Sequence, residues 1–257
     1  MGALHDGHAS LIKYAAEIAR DQGLADGAVV SIFVNPTQFN DKADFDRYPR
    51  TLEADLGLCE AAGASIVYVP KVNDIYPPLD TVTLPTIPQV ATAPQLEDAH
   101  RPGHFAGVCQ VVKRLFDIVC PQVAVFGEKD WQQLQVIRAM TQQLRYPIEV
   151  LGAPTVREAG GLAMSSRNRF LSPQERTRAL AISEALCESW NTTTPAEAEA
   201  VMRRVLAAHD IQPEYAVVRD AATLERAGEG PKRALIAARV GSVRLIDNVE
   251  WRFKRTV

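Results

Sequence analysis

Cysteine is scarce in this chain: four occur in 257 residues, and Cys59, Cys109, Cys120 and Cys187 stand far apart with no Cys-x-x-Cys pair. That spacing argues against a zinc ribbon or a disulfide-stapled scaffold and suits a reducing, cytoplasmic setting. Long apolar runs are missing too. No stretch approaches the ~18 residues that cross a bilayer, and the first residues do not read as a secretory signal, so no membrane partner is expected. Nor is there an excess of charge of one sign. Lys and Arg number 28 against 31 Asp and Glu, a net charge of -3, with charged residues at 23%. This gives neither the basic track that nucleic acid requires nor an acidic, self-repelling tail.

What is present is a regular alternation of patterns. Residues 8–21 place Leu11, Ile12, Ala15, Ala16, Ile18 and Ala19 at helical spacing, so an amphipathic helix is predicted there. An apolar strand over 28–34 follows and is stopped by Asn35-Pro36, because proline cannot donate to a sheet ladder. A helix over 50–62, a strand over 66–69, a proline-rich loop over 70–104, a helix over 105–119 and a strand over 123–126 come next. A helix over 130–144 and a strand near 148–151 complete the series. Helix and strand in alternation predict an α/β protein with a parallel sheet. Beyond Pro154 the order changes to helices over 173–190 and 195–209, then short strands at 214–219, 233–240 and 242–246, which predicts a smaller α+β domain joined near 152–158.

Four segments carry polar chemistry at the predicted strand ends and helix starts. The first is the octet Met1, Gly2, Ala3, Leu4, His5, Asp6, Gly7, His8. His5 and His8 lie three apart at a helix start, where the exposed N–H groups and the dipole already favour a phosphate. Two imidazoles add donors, and the glycines let backbone come close. A nucleotide phosphate site is one reading and a solvated terminus the other; zinc is disfavoured without a neighbouring Glu or Cys. The second segment, Asn35 and Gln38 with Phe39, ends a strand, where open α/β sheets bind ligands, although Asn35 alone would also suit an Asn-Pro turn. In the third, Gly127, Glu128, Lys129 and Asp130 open a helix that places Gln133 one turn on. Lys129 could neutralise phosphate charge, Asp130 could accept from ribose hydroxyls and Gln133 could meet a second substrate; dipole capping explains the acids but not the lysine. The fourth, Met164, Ser165, Ser166, Arg167 and Asn168, offers hydroxyls and a guanidinium to phosphate oxygens. Arg101 and His104 could add polar groups to the same cleft, and Asp44 with Asp46 could hold a hydrated Mg²⁺.

In order and spacing, residues 1–8, 33–39, 101–105, 126–133 and 164–168 resemble the pantoate–β-alanine ligase (pantothenate synthetase) family. The octet also resembles the HIGH box of nucleotidyltransferases, and residues 164–167 resemble the counterpart of their mobile lysine loop. The resemblance implies a Rossmann-like doubly wound domain over 1–155, which binds ATP and pantoate, and a C-terminal α+β lid domain over 156–257. It also implies ATP-dependent joining of pantoate to β-alanine through a pantoyl adenylate, with release of AMP and pyrophosphate. ATP, as substrate with Mg²⁺, is then held by residues 1–8, residues 127–130, the backbone of Val156, and Met164 to Arg167. His5, His8 and Lys129 act on the phosphates, with His8 as proton donor. Gln38 and Gln133 take pantoate, Gln38 also meets β-alanine, and Asn35, Arg101 and His104 join the substrate site. A cytoplasmic homodimer is implied. Family members carry a first strand leading into the octet, and its apparent absence leaves two alternatives: a start assigned at an internal methionine, or an inactive nucleotide-binding remnant. Another nucleotidyltransferase of the same fold is a further alternative, disfavoured by the Gln38–Gln133 pair.

Overall fold

Helix α1 (Asp6–Asp21) begins where His5, in extended conformation, caps it, and it buries Ile12 and Ala19 on one face. The computed structural model describes residues 2–38, 45–46, 48–78 and 83–252. The chain divides into two compact units, Met1–Glu128 with Gln132–Pro154, and Lys129–Trp131 with Thr155–Val257. Sequence patterning does not separate Lys129–Trp131 from the segments on either side.

In the first unit, β1 (Val29–Ser31) pairs in parallel with β2 (Ile66–Tyr68), and helix α2 (Leu52–Ala61) connects them. Strand β3 (Val123–Gly127) pairs in parallel with β4 (Glu149–Ala153), joined by α6 (Trp131–Gln143). Among the described residues these are separate two-stranded sheets rather than one continuous doubly wound sheet. Helix α1 serves both. Ile12 packs with Ile32, Cys59 and Ala62 beside the first pair, and the Leu11 side chain lies 3.8 Å from where a Cβ on Gly127 would stand.

The proline-rich stretch is less irregular than its composition suggests. Among its described residues it holds two single-turn α-helices, α3 (Val72–Ile75) and α4 (Glu97–His100), and a 3-10 turn at Gln89–Ala91. Both α-helices are docked by side chains rather than sustained by propensity, which is weak over one turn. Ile75 is fully buried against α5 (His104–Val119) in a cluster with Phe105, Val108, Phe116 and Ile137. Cys109 belongs to the same cluster. Burial pushes its thiol up to about 12, so it stays protonated and acts as a small apolar residue.

The second unit packs α7 (Pro173–Glu188) and α8 (Pro195–Ala208) on an antiparallel sheet, β5 (Pro213–Asp220), β6 (Lys232–Val240) and β7 (Val243–Trp251), paired in that order. Both helices open with proline inside a capping box, Ser172 with Glu175 and Thr194 with Glu197. Their apolar faces meet the sheet through Ile182, Leu186, Met202, Leu206, Ala216 and Ile236, each essentially inaccessible to water. Strand β7 runs five residues past its predicted end at 246. The extension contains Asp247 and Asn248, which disfavour strands in isolation. Here they are buried and paired, which overrides propensity.

Candidate active site

The histidines of the opening octet cap a helix and each other. His5 Nδ1 accepts the Gly7 N–H at 3.1 Å, and His8 Nδ1 accepts the His5 N–H at 3.3 Å. The rings lie 4.1 Å apart, tilted by 45°. These bonds hold both rings at the start of α1, where backbone N–H groups favour a phosphate. Gly2 and Ala3 are buried, Asp6 is exposed, and Leu4, Gly7 and the histidines are half-buried. The Ala3 and Leu4 N–H groups donate to the carboxylate of Asp55 at 2.9 and 2.8 Å, a residue that patterning did not single out. Met1 lies outside the described residues.

Residues 35–38 form a tight turn after β1, organised by Asn35. Its side chain is 2% exposed, donates to the Gly107 carbonyl at 3.1 Å, and accepts from Thr37 N and Oγ1 and from the Tyr76 hydroxyl. Its amide is therefore committed within the protein. Asn35 thereby shapes the turn that carries Gln38. Burial raises the Tyr76 hydroxyl above the ordinary tyrosine range despite its bonds to Thr37 and Asn35, so it donates as a neutral phenol. His104 is likewise 5% exposed, with Nδ1 at 3.0 Å from the Gln38 carbonyl. Through this contact it supports the turn.

Gly107 completes this support. A Cβ there would stand 2.5 Å from the Thr37 carbonyl oxygen, so only glycine lets α5 approach the turn. Gln38 and Gln133 are both half-buried, and neither side chain has a hydrogen-bond partner among the described residues. The adjacent Gln132 is the structural amide: it accepts from Glu97 N and donates to Val90 O and Asp98 Oδ1. Arg101 faces Glu97 at 3.8 Å. Asp44 and Phe39 lie outside the described residues, Asp46 is exposed, and no metal-holding group of three His, Cys, Asp or Glu side chains occurs among the described residues.

In the second unit, the half-buried Lys129 is positioned through its backbone. Asn248 Nδ2 donates to the Lys129 carbonyl at 2.9 Å, and Asn248 Oδ1 accepts from Arg233 Nε at 2.6 Å. The Arg233 guanidinium stacks 3.7 Å from the centre of the Trp131 ring, whose Nε1 donates to Ala221 O at 2.8 Å. Asp130, beside it, is half-buried. Gly127 and Glu128, two residues and one residue before Lys129, remain in the first unit at the end of β3.

The other expected nucleotide residues sit on a hairpin. Met164 N donates to Val156 O at 3.0 Å, bringing those two together, and Gly161, at φ +93°, makes the turn. Ser165 caps the short 3-10 helix Ser166–Phe170 by accepting from Arg167 N. Charged groups away from the expected set hold this hairpin. Arg157 forms a bidentate pair with the buried Asp247 at 2.6 and 2.9 Å. Burial alone would lower the Arg157 pKa, but the Asp247 carboxylate outweighs it and holds the guanidinium firmly charged. Asn168 donates to Glu158 and to Ala163 O, and Arg176 pairs with Glu158. The Gly-Gly turn was a usable signal for the hairpin. Asp247 and Arg176 carried none, since both are distant in sequence.

A histidine-capped helix beside parallel strand pairs, a glutamine-bearing turn after β1 and a separate antiparallel unit define a two-unit α/β protein, a class that binds ligands at parallel strand ends. A family profile described as pantoate-beta-alanine ligase matches residues 1–250, and the chain belongs to that family. Similar curated proteins include the pantothenate synthetases of Idiomarina loihiensis, 48% identical over 97% of this chain and 88% of its own length, and of a Nocardioides species, 46% identical over 97% and 76%. Among solved structures, pantothenate synthetase from Thermus thermophilus is 39% identical, with a TM-score of 0.87 over 97% of this chain and 90% of its own. The pantoate-beta-alanine ligase from Francisella tularensis, complexed with beta-gamma ATP and beta-alanine, is 32% identical with a TM-score of 0.76, covering 97% and 87%. The chain is thus a ligase that forms the amide bond between pantoate and β-alanine.

Proposed function

We propose that the protein activates pantoate with ATP as pantoyl adenylate and then transfers the pantoyl group to β-alanine, with AMP and pyrophosphate as by-products. The observation that supports this reading is the reciprocal histidine cap, which fixes two imidazoles at a helix N-terminus. His5 and His8 take the triphosphate, and His8 supplies a proton as charge leaves with pyrophosphate. Lys129 stabilises the charge on the transferring phosphorus. Asp130 accepts from ribose, and Val156 contacts adenine through its backbone. Met164, Ser165, Ser166 and Arg167 bind phosphate, as do the backbone groups of residues 1–8 and of Gly127 and Glu128.

Gln38 and Gln133 hold pantoate by neutral hydrogen bonds, and Gln38 also meets β-alanine; Arg101 adds positive charge. Such a site needs alignment and charge neutralisation more than a strong base, because the attacking carboxylate is already an anion. Mg²⁺ would enter bound to triphosphate oxygens and offset their charge. The described residues do not form a protein cage for it, and no step above depends on one.

Two features support self-association and a cytoplasmic setting. Leu52, Leu56, Ile66, Val69 and Val72 leave apolar surface exposed on the first unit, which suits a homodimer. All four cysteines are free thiols.

ATP–pyrophosphate exchange tests the reading. Exchange should require pantoate but not β-alanine, and His8→Ala should lower it by about 10²-fold or more. Exchange that proceeds without pantoate, or that survives unchanged in His8→Ala, would overturn it.

A further inference from the structure

Ala3 is one of the non-glycine residues held at positive φ, at +55°, and it is 1% exposed. An L-residue with a side chain reaches this left-handed region only at a cost, so something must hold it there. The structure shows what does. Asp55, in the first turn of α2, is 2% exposed, and its two oxygens are divided between consecutive amides: Oδ2 accepts from Ala3 N and Oδ1 from Leu4 N. The Thr51 hydroxyl donates to Oδ1 at 3.0 Å and fixes the carboxylate plane. A buried carboxylate with three donors is fully compensated. Successive N–H groups converging on one carboxylate fit a turn with a left-handed residue.

Two residues further along is His5, the helix cap. The direction in which the chain enters α1 is therefore set by a side chain that lies 52 residues from Ala3. From this we infer that Asp55 is a positioning residue for ATP activation: its carboxylate clamps the left-handed turn at Ala3 and thereby orients the His5–His8 pair on the triphosphate. Asp55 touches no substrate in this scheme. It acts through backbone, and the inference rests on the assignment of His5 and His8 to ATP made above.

The role is separable from mere packing because the turn has an alternative support. Glycine adopts positive φ without a clamp, so Ala3→Gly should repair what Asp55→Asn damages. The amide that Asp55→Asn introduces would retain one acceptor but turn a donor toward one of the two N–H groups. Asp55→Asn is expected to weaken ATP affinity, measured by calorimetric titration, by about tenfold, and to lower kcat for pantoate-dependent exchange at least as much, with little change in KM for pantoate. In the Ala3→Gly background the same substitution should cost less than about threefold. A residue that only stabilises α2 would show the same loss in both backgrounds, and that result overturns the inference, as does unchanged ATP affinity in Asp55→Asn. Should Asp55→Asn not fold, Thr51→Val removes only the hydroxyl that steadies the carboxylate. It should then reduce ATP affinity about threefold, recoverable by Ala3→Gly, and no reduction counts against the clamp. If the unaltered protein binds ATP but shows no pantoate-dependent exchange, the assigned reaction fails, while the ATP titrations still judge the clamp.

Discussion

At the scale of single residues, the side chains assigned to substrate and those that hold them in place are close neighbours of similar type. Gln132 and Gln133 are adjacent amides at the start of α6. One is 4% exposed and ties residues 90–98 to the helix, while the other has no protein partner among the described residues. Asn35 and His104 are both buried, one within and one beside the turn that carries Gln38. Composition could not separate the two kinds, because the distinction lies in what each amide meets across the fold.

Gly107 shows the same dependence. A methyl group there would press on the Thr37 backbone at 2.5 Å, and backbone cannot rotate away as a side chain can. Gly107→Ala should therefore displace the turn and raise KM for pantoate and β-alanine by about tenfold, the equivalent of ~1.4 kcal/mol. ATP affinity should change little. Steady-state kinetics with each substrate varied in turn would check this.

Elements were easier to read than their supports. Helices with a regular apolar stripe, such as α1, α5 and α8, fall within a few residues of the predicted spans because 3.6-residue periodicity is written locally. The one-turn helices in the proline-rich stretch were missed, since a single turn has no period to detect. Capping boxes are also local. The Glu175 carboxylate accepts from the Ser172 backbone N–H, and Glu197 accepts from Thr193 and Thr194; these contacts hold both acids below the ordinary glutamate range.

A depressed folded-state pKa contributes stability that is present at neutral pH and lost as pH falls through the folded value. Removing both acids as Glu175→Gln with Glu197→Gln should flatten the acid limb of the stability curve. Near neutral pH the change should be small, since both groups are exposed to solvent. Urea melts of the second unit's helical signal at a series of pH values would test this. An acid limb as steep as that of the unaltered protein would show that other carboxylates control it.

For the whole molecule, the apolar side chains left exposed on the first unit have a checkable consequence. Light scattering after size exclusion should give twice the chain mass of 28.2 kDa, and Ile66→Asp, at a position 50% exposed on β2, should shift it toward the single-chain mass. Each unit has its own apolar core, one centred on α5 and α6 and the other on α7, α8 and the antiparallel sheet. The substitution should therefore leave helical content intact even where association is lost. A monomer in both proteins would remove the homodimer from the reading.

The sequence alone was enough to determine the class of fold, the order of its longer elements and the family, because periodicity, turn residues and motif spacing are properties of contiguous chain. It also placed His5 and His8 at a helix start, where their role as caps follows from local geometry. Tertiary structure alone decided which polar residues are committed to the protein, how Lys129 is gripped by Asn248, and how Arg157, Glu158 and Asn168 build the hairpin under residues 164–167. It alone brought Asp55 to the amides of Ala3 and Leu4. Most of those relationships join residues tens of positions apart, and a hydrogen bond depends on distance in space, which no local pattern records.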